Sequence, residues 1–244
     1  MIADARAAVA FLTRVPVGAS DLTAARLSRA APWFPAVGLL VGGVMAGTRA
    51  LANLALDPTP ATVLALLAAV LVTGALHEDG LADAADAIGA LATRARKLEI
   101  LRDSRVGAYG ALALIFAVVF ALAVLAPLDD AHFARAALVG HVLGRWSTLP
   151  QALALPSARP EGSGALVRPT VPAVAGGSAI ALVTALLAGG LRPGAVAAGV
   201  ACALTVLGAA CARRTLGGVT GDTFGAVAKV VELGSYAALT AAWA

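Results

Sequence analysis

The chain reads as an all-α integral membrane protein, a polytopic helical bundle forming a single domain over residues 1–244. Three observations predict this. First, 60% of the 244 residues are hydrophobic and only 13% are charged, against roughly 25% charged in a soluble domain; the mean hydropathy is +0.88. Second, apolar runs approaching the ~20 residues that span a bilayer recur along the chain. Third, breakers stand at their edges: Pro58, Pro60, Pro127, Pro156, Pro172 and Pro193.

Residues 1–34 come first. The first residues, through Phe11-Leu12-Thr13-Arg14-Val15-Pro16, fit a short interfacial helix whose apolar stretch is too brief to span. Asp4 and Arg6 interrupt the opening run, so no signal peptide is expected. Seven apolar segments follow, at 35–56, 60–76, 108–126, 134–155, 171–191, 195–212 and 223–243. Two are short and the last is broken by Lys229 and Glu232, so the expectation is about seven spans, within six to eight. With the N-terminus cytoplasmic, the stretches 1–34, 77–107, 156–170 and 213–222 share one side. They hold thirteen of the 18 Lys and Arg, as the positive-inside rule requires. Every polar, motif-bearing loop then lies on the cytoplasmic side. The segment 156–170 reads as a flexible loop.

Several classes drop out. A pI near 9.7 could serve nucleic acid, but the aromatic content is 5% and no basic stripe exists, so no nucleic-acid partner is expected. Cys202 and Cys211 have no disulfide or zinc pattern and are expected to be inert core thiols. There is no Ser-His-Asp order, CxxC, dinucleotide fingerprint or Walker A loop. The oligomeric state stays open, a homo-oligomer included.

The segment 77–107 carries six of the chain's 14 acids and reads as a cytoplasmic-side acidic helix with a basic tail. In His77-Glu78-Asp79-Gly80-Leu81-Ala82-Asp83-Ala84-Ala85-Asp86, positions 79, 83 and 86 share a helical face about 60° wide. Like charges this close need a cation between them, or their pKa values rise. Oxygen ligands suit Mg²⁺, which phosphate-bearing substrates bring with them. Asp79, Asp83 and Asp86 are therefore candidate metal ligands. The apolar residues between them argue for a packed helix rather than a solvated acidic face.

Three further groups point the same way. Arg102-Asp103-Ser104-Arg105-Val106-Gly107 offers guanidinium forks to phosphate at a helix entry. Arg145 sits mid-span, where a charge must face the interior and meet an acid or phosphate. Arg213-Arg214-Thr215-Leu216-Gly217-Gly218-Val219-Thr220-Gly221-Asp222 offers backbone N–H groups at a loop–helix junction, with Asp222 as ligand or base. Lys229 and Glu232, spaced i, i+3, read as a mutual pair. Residue type and elimination give phosphoryl-group chemistry supported by a divalent metal.

Five motifs in order, Phe11-x-Thr13-Arg14-x-Pro16, Phe34-Pro35-x-x-Gly38, His77-x-Asp79-Gly80-Leu81-Ala82-Asp83-x-x-Asp86, Arg102-Asp103-Ser104-Arg105-x-Gly107 and Arg213-Arg214-Thr215-Leu216-Gly217-Gly218-x-Thr220-Gly221-Asp222-Thr223-x-Gly225-Ala226, resemble the cobalamin synthase family of adenosylcobinamide-GDP ribazoletransferases. The resemblance covers about residues 8–236. It departs at Ala87, where the family pattern has Gly. It implies the last step of coenzyme B12 assembly in a bacterial inner membrane: α-ribazole, or its 5′-phosphate, attacks adenosylcobinamide-GDP, GMP leaves, and Mg²⁺ is required. Asp222 is then a fourth metal-ligand candidate, and Asp86 or Asp222 the catalytic base. Phosphate or substrate binding falls to Arg102, Arg105 and Arg145, joined through the shared motifs by Arg14, Asp103, Arg214 and Thr220. His77, Lys229 and Glu232 complete the candidate set. The rival readings are a CDP-alcohol phosphotransferase and, less favoured, a cation-coupled transporter.

Overall fold

The computed structural model describes residues 1–18 and 22–244; residues 19–21 of the expected interfacial segment lie outside them. The described chain is helical throughout: α1 (Ile2–Leu12), α2 (Ala24–Ala30), α3 (Phe34–Ala52), α4 (Pro58–Thr73), α5 (Leu76–Gly89), α6 (Arg94–Ile100), α7 (Ala108–Leu125), α8 (Asp130–Trp146), α9 (Thr148–Ala154), α10 (Ser163–Leu166), α11 (Val171–Gly189), α12 (Leu191–Leu216) and α13 (Gly221–Trp243). Local chemistry sets the ends. Proline opens α3, α4 and α11, where the missing N–H costs nothing. The hydroxyls of Thr23, Thr170 and Thr220 accept first-turn N–H groups.

Each of the seven expected apolar segments is largely helical, with 134–155 divided between α8 and α9. Four helical runs are long and apolar enough to cross a membrane: Ala24–Ala52, Ala108–Leu125, Val171–Gly189 and Leu191–Leu216. The pair α4–α5, bent by 88°, makes a fifth when counted as one. Length and apolarity alone thus pick out four to five of the seven expected segments. The difference has a physical source. Helices α8 and α13 run through the middle of the bundle, packed against α3, α5, α11 and α12. Shielded by neighbours, they carry His141, Arg145, Lys229 and Glu232, all polar and nearly all buried. By contrast α7 turns Leu112, Ile115, Phe116 and Val119 outward, as a lipid-facing helix does. On α12, Cys202 is exposed and Cys211 half-buried, so neither is the core thiol expected; apolarity alone does not separate core from lipid.

Small residues let the interior helices approach. A Cβ on Gly38 would lie 2.6 Å from the His141 carbonyl, and one on Gly42 would lie 2.7 Å from that of Ala137. Helix α3 thus lies backbone against backbone on α8, the close packing that membrane helices achieve through small residues. At one end of the bundle Arg49 donates to the Leu125, Ala126 and Leu128 carbonyls that end α7 and stacks 4.4 Å from the Phe133 ring centroid.

At the other end the chain turns a corner. Gly74 (φ 64°) and Ala75 (φ 60°) are both left-handed, and they set α5 nearly perpendicular to α4. Arg14 secures this corner: its N–H donates to the Val72 carbonyl at 2.7 Å, and its side chain covers the space a Gly74 Cβ would need.

Gly38→Ala should destabilise the folded protein by about 1–3 kcal/mol through overpacking, read as a lower unfolding temperature in detergent. Gly43→Ala, where a Cβ meets nothing within 4 Å, should be neutral or stabilise by up to ~1 kcal/mol.

Candidate active site at the acidic helix

Asp79, Asp83 and Asp86 share one face of α5, as the spacing predicts. The opposite face, Leu81, Ala84, Ala85 and Ile88, lines an apolar groove against α12 and α13. What the spacing does not reveal is the fourth carboxylate. Helix α5 crosses α13 where both chains lack a side chain. A Cβ on Gly80 would lie 2.8 Å from the Asp222 carbonyl, and one on Gly225 would lie 3.3 Å from the Gly80 Cα. This contact brings Asp222, in the first turn of α13, beside the acidic face.

The electrostatics record the convergence. Burial, then Asp79, Asp222 and Asp86 in that order, push the Asp83 carboxyl up to about 6, with Arg159 opposing. Burial also raises Asp222, while Arg159 and the Thr220 hydroxyl hold it down. Thr220 caps α13 through a reciprocal pair with Thr223 and donates from its hydroxyl to Asp222 Oδ2 at 3.2 Å.

Arg159 is the residue the sequence reading passed over. Its Nη2 donates to Asp222 Oδ2 at 2.9 Å. The loop at 156–159 is pinned there by backbone bonds: Val219 N–H donates to the Pro156 carbonyl at 2.9 Å and Ala158 N–H to the Val219 carbonyl at 2.8 Å. A single arginine in a Pro- and Gly-rich loop carries no spacing signal; only the pairing with Val219 places it.

Asp86 has a defined structural use. Its two oxygens accept the Gly107 N–H at 2.7 Å and the Gly110 N–H at 2.9 Å, so it caps α7. Asp103 and Arg105 form a fork-to-carboxylate pair, Nε at 2.9 Å and Nη2 at 2.6 Å, and this holds Asp103 down at about 2. The pair borders an open groove of about 380 Å³ that also reaches Asp86 and Gly107. Arg105 thus pairs with an acid in its own loop while bordering that groove. Arg102 and Arg214 are exposed. Arg14 serves the 74–75 corner.

The mid-span charges form a separate buried group. Lys229 Nζ lies 2.7 Å from Glu78 Oε1 and 2.7 Å from Glu232 Oε1. His141 Nδ1 lies 2.8 Å from Glu232 Oε2 and 3.1 Å from Arg145 Nη1. Arg145 meets His141, and among the described residues no hydrogen bond or ion pair joins it to Asp79, Asp83, Asp86 or Asp222. The expected Lys229–Glu232 pair is present and extends to Glu78. His77 is buried, its backbone against Gly225.

Among the described residues no three His, Cys, Asp or Glu side chains are drawn together closely enough to grip a metal ion. Two of the four carboxylates are engaged, Asp86 by N–H groups and Asp222 by Arg159, while Asp79 and Asp83 have no hydrogen bond or ion pair among the described residues. The donor chemistry nevertheless fits a hard divalent cation. All four groups are carboxylates, and burial together with the other three raises Asp83.

The family described as cobalamin-5-phosphate synthase matches residues 4–240. Among similar proteins, the adenosylcobinamide-GDP ribazoletransferase of Roseiflexus sp. (strain RS-1) is 36% identical over 238 residues, covering 96% of this chain and 87% of that protein. Its namesake in Bradyrhizobium diazoefficiens is 39% identical, covering 96% and 91%. That of Rhizobium etli (strain CFN 42) is 41% identical, covering 98% and 96%. No solved structure matches.

The raised Asp83 carboxyl sets a pH dependence. A carboxyl whose folded pKa lies above its unfolded value of about 3.9 contributes stability below pH ~4, lost as pH rises through about 6. Thermal unfolding in detergent from pH 4 to 8 should show this loss in the wild type and a flatter profile in Asp83→Asn.

Proposed function

The chain belongs to the cobalamin-5-phosphate synthase family and is a transferase of cobalamin biosynthesis; from that premise we propose that it makes cobalamin from adenosylcobinamide-GDP and α-ribazole, or α-ribazole 5′-phosphate, with Mg²⁺. The ribazole hydroxyl attacks the cobinamide-linked phosphorus. A new P–O bond forms, the bond to GMP breaks, and GMP leaves with the electron pair. The observation that carries this reading is the meeting of the α5 acidic face with Asp222 and Arg159 at one end of the bundle.

Asp79, Asp83 and Asp222, with Asp86 behind them, would hold Mg²⁺, which supplies charge neutralisation on the diphosphate. Arg159 and Arg102 bind phosphate oxygens, and Arg105 does so on exchanging Asp103 for substrate. Of the two base candidates, Asp222 is the better placed. Both Asp86 oxygens already accept N–H groups, whereas one Asp222 oxygen is free and burial raises its proton affinity. The hydroxyl proton goes to that oxygen. Concentration of Lys and Arg in the loops at this end supports a bacterial inner-membrane protein with its site facing the cytoplasm.

Purified protein given Mg²⁺, adenosylcobinamide-GDP and α-ribazole should release GMP. Asp83→Asn should lower that rate by on the order of 10²–10³-fold while remaining folded; near-normal turnover would remove the carboxylate from the site. Arg159→Gln takes the counter-charge from Asp222, so its carboxyl rises further. The acid limb of the pH–rate profile should then move to higher pH, with turnover down about 10–100-fold.

A further inference from the structure

We propose that Lys229 is a positioning residue for the acidic helix, a buried pin that sets the register in which Asp79 and Asp83 face Asp222; this role rests on the transferase reading above. Lys229 lies seven residues beyond Asp222 on α13, two turns along nearly the same face. Its ammonium bridges Glu78 and Glu232 at 2.7 Å each. Glu78 immediately precedes Asp79. Glu232 is held from its other side by His141 of α8, so a continuous line of contacts joins α8, α13 and α5.

The need for a pin follows from how α5 and α13 touch. Their crossing is backbone on backbone at Gly80 and Gly225, and a glycine contact has no side chain to lock position. A slip of one residue shifts a helix by about 1.5 Å and turns it by ~100°, enough to aim Asp79 away from Asp222. The ion pair opposes that slip. Glu78 Oε2 is buried with no hydrogen-bond partner among the described residues, so Lys229 is the one side chain holding this carboxylate. Moving α5 would strand a buried charge, which is costly inside a membrane bundle. Lys229, Glu78 and Glu232 also border a cavity of only about 50 Å³, too small for a substrate, which argues for a brace rather than a binding subsite.

The test uses Glu78→Gln, Lys229→Met and their double variant, in detergent. Glu78→Gln leaves Lys229 paired with Glu232 and keeps the shape of the site, so folding is preserved even where Lys229→Met is damaged. Three quantities are read: GMP-release kcat with the Mg²⁺ concentration at half-saturation, the KM for α-ribazole, and Mn²⁺ affinity of the substrate-free protein by electron paramagnetic resonance. Glu78→Gln should weaken Mn²⁺ and Mg²⁺ binding about 10-fold or more, as loss of support for a ligating carboxylate does, and kcat should fall with it. The KM for α-ribazole should stay within about twofold, and the double variant should be no worse than Lys229→Met within about twofold, because the two residues act as one unit. Wild-type kcat and metal affinity in folded Glu78→Gln would overturn the pin, as would independent, multiplying effects. Absence of GMP release by the wild type would instead overturn the transferase reading, and the Mn²⁺ comparison would still judge the pin.

Discussion

The crossing of α5 over α13 is the constraint on which the site depends. Two glycines bring the backbones within van der Waals reach, and only this closeness carries Asp222 to the face formed by Asp79, Asp83 and Asp86. The corner at Gly74 and Ala75 makes the crossing possible, because it turns the chain from the direction of α4 to one nearly perpendicular. Arg14 braces the corner from the N-terminal segment. Residues far apart in the chain therefore support one helix crossing.

Charge is managed differently above and below that contact. In the bundle interior Glu78 and Glu232 meet Lys229, with His141 and Arg145 alongside, so two acids and two strong cations balance where desolvation is severe. At the open end the balance is withheld. Among the described residues the four carboxylates have one close guanidinium, that of Arg159, and burial together with the neighbouring carboxylates pushes Asp83 up to about 6. A structural acidic helix would be neutralised by its neighbours. One kept short of cations is suited to receive them from a ligand.

Much of this was legible in the chain. Hydropathy and breakers located the helices, because a membrane imposes length and apolarity directly on sequence. Which helices lie inside the bundle was less legible. Helices α8 and α13 lie inside a sheath of other helices, and shielding by neighbours is not written in a window of residues. The spacing of Asp79, Asp83 and Asp86 foretold their common face, since helical periodicity is local. The capping of α7 by Asp86 was not foretold, because it depends on N–H groups from another helix, whereas the meeting of Arg145 with His141 is a contact one turn apart on α8.

By itself the sequence determined the helical membrane class, the acidic face and, through its ordered motifs, the family. Those properties arise from composition, from periods of a few residues and from contiguous patterns. Only the tertiary structure decided that Arg159 neutralises Asp222, that Asp86 caps α7, and that Lys229 reaches Glu78 as well as Glu232. Each of these joins segments separated by long stretches of chain, and such contacts follow from how the helices pack rather than from anything a single segment encodes.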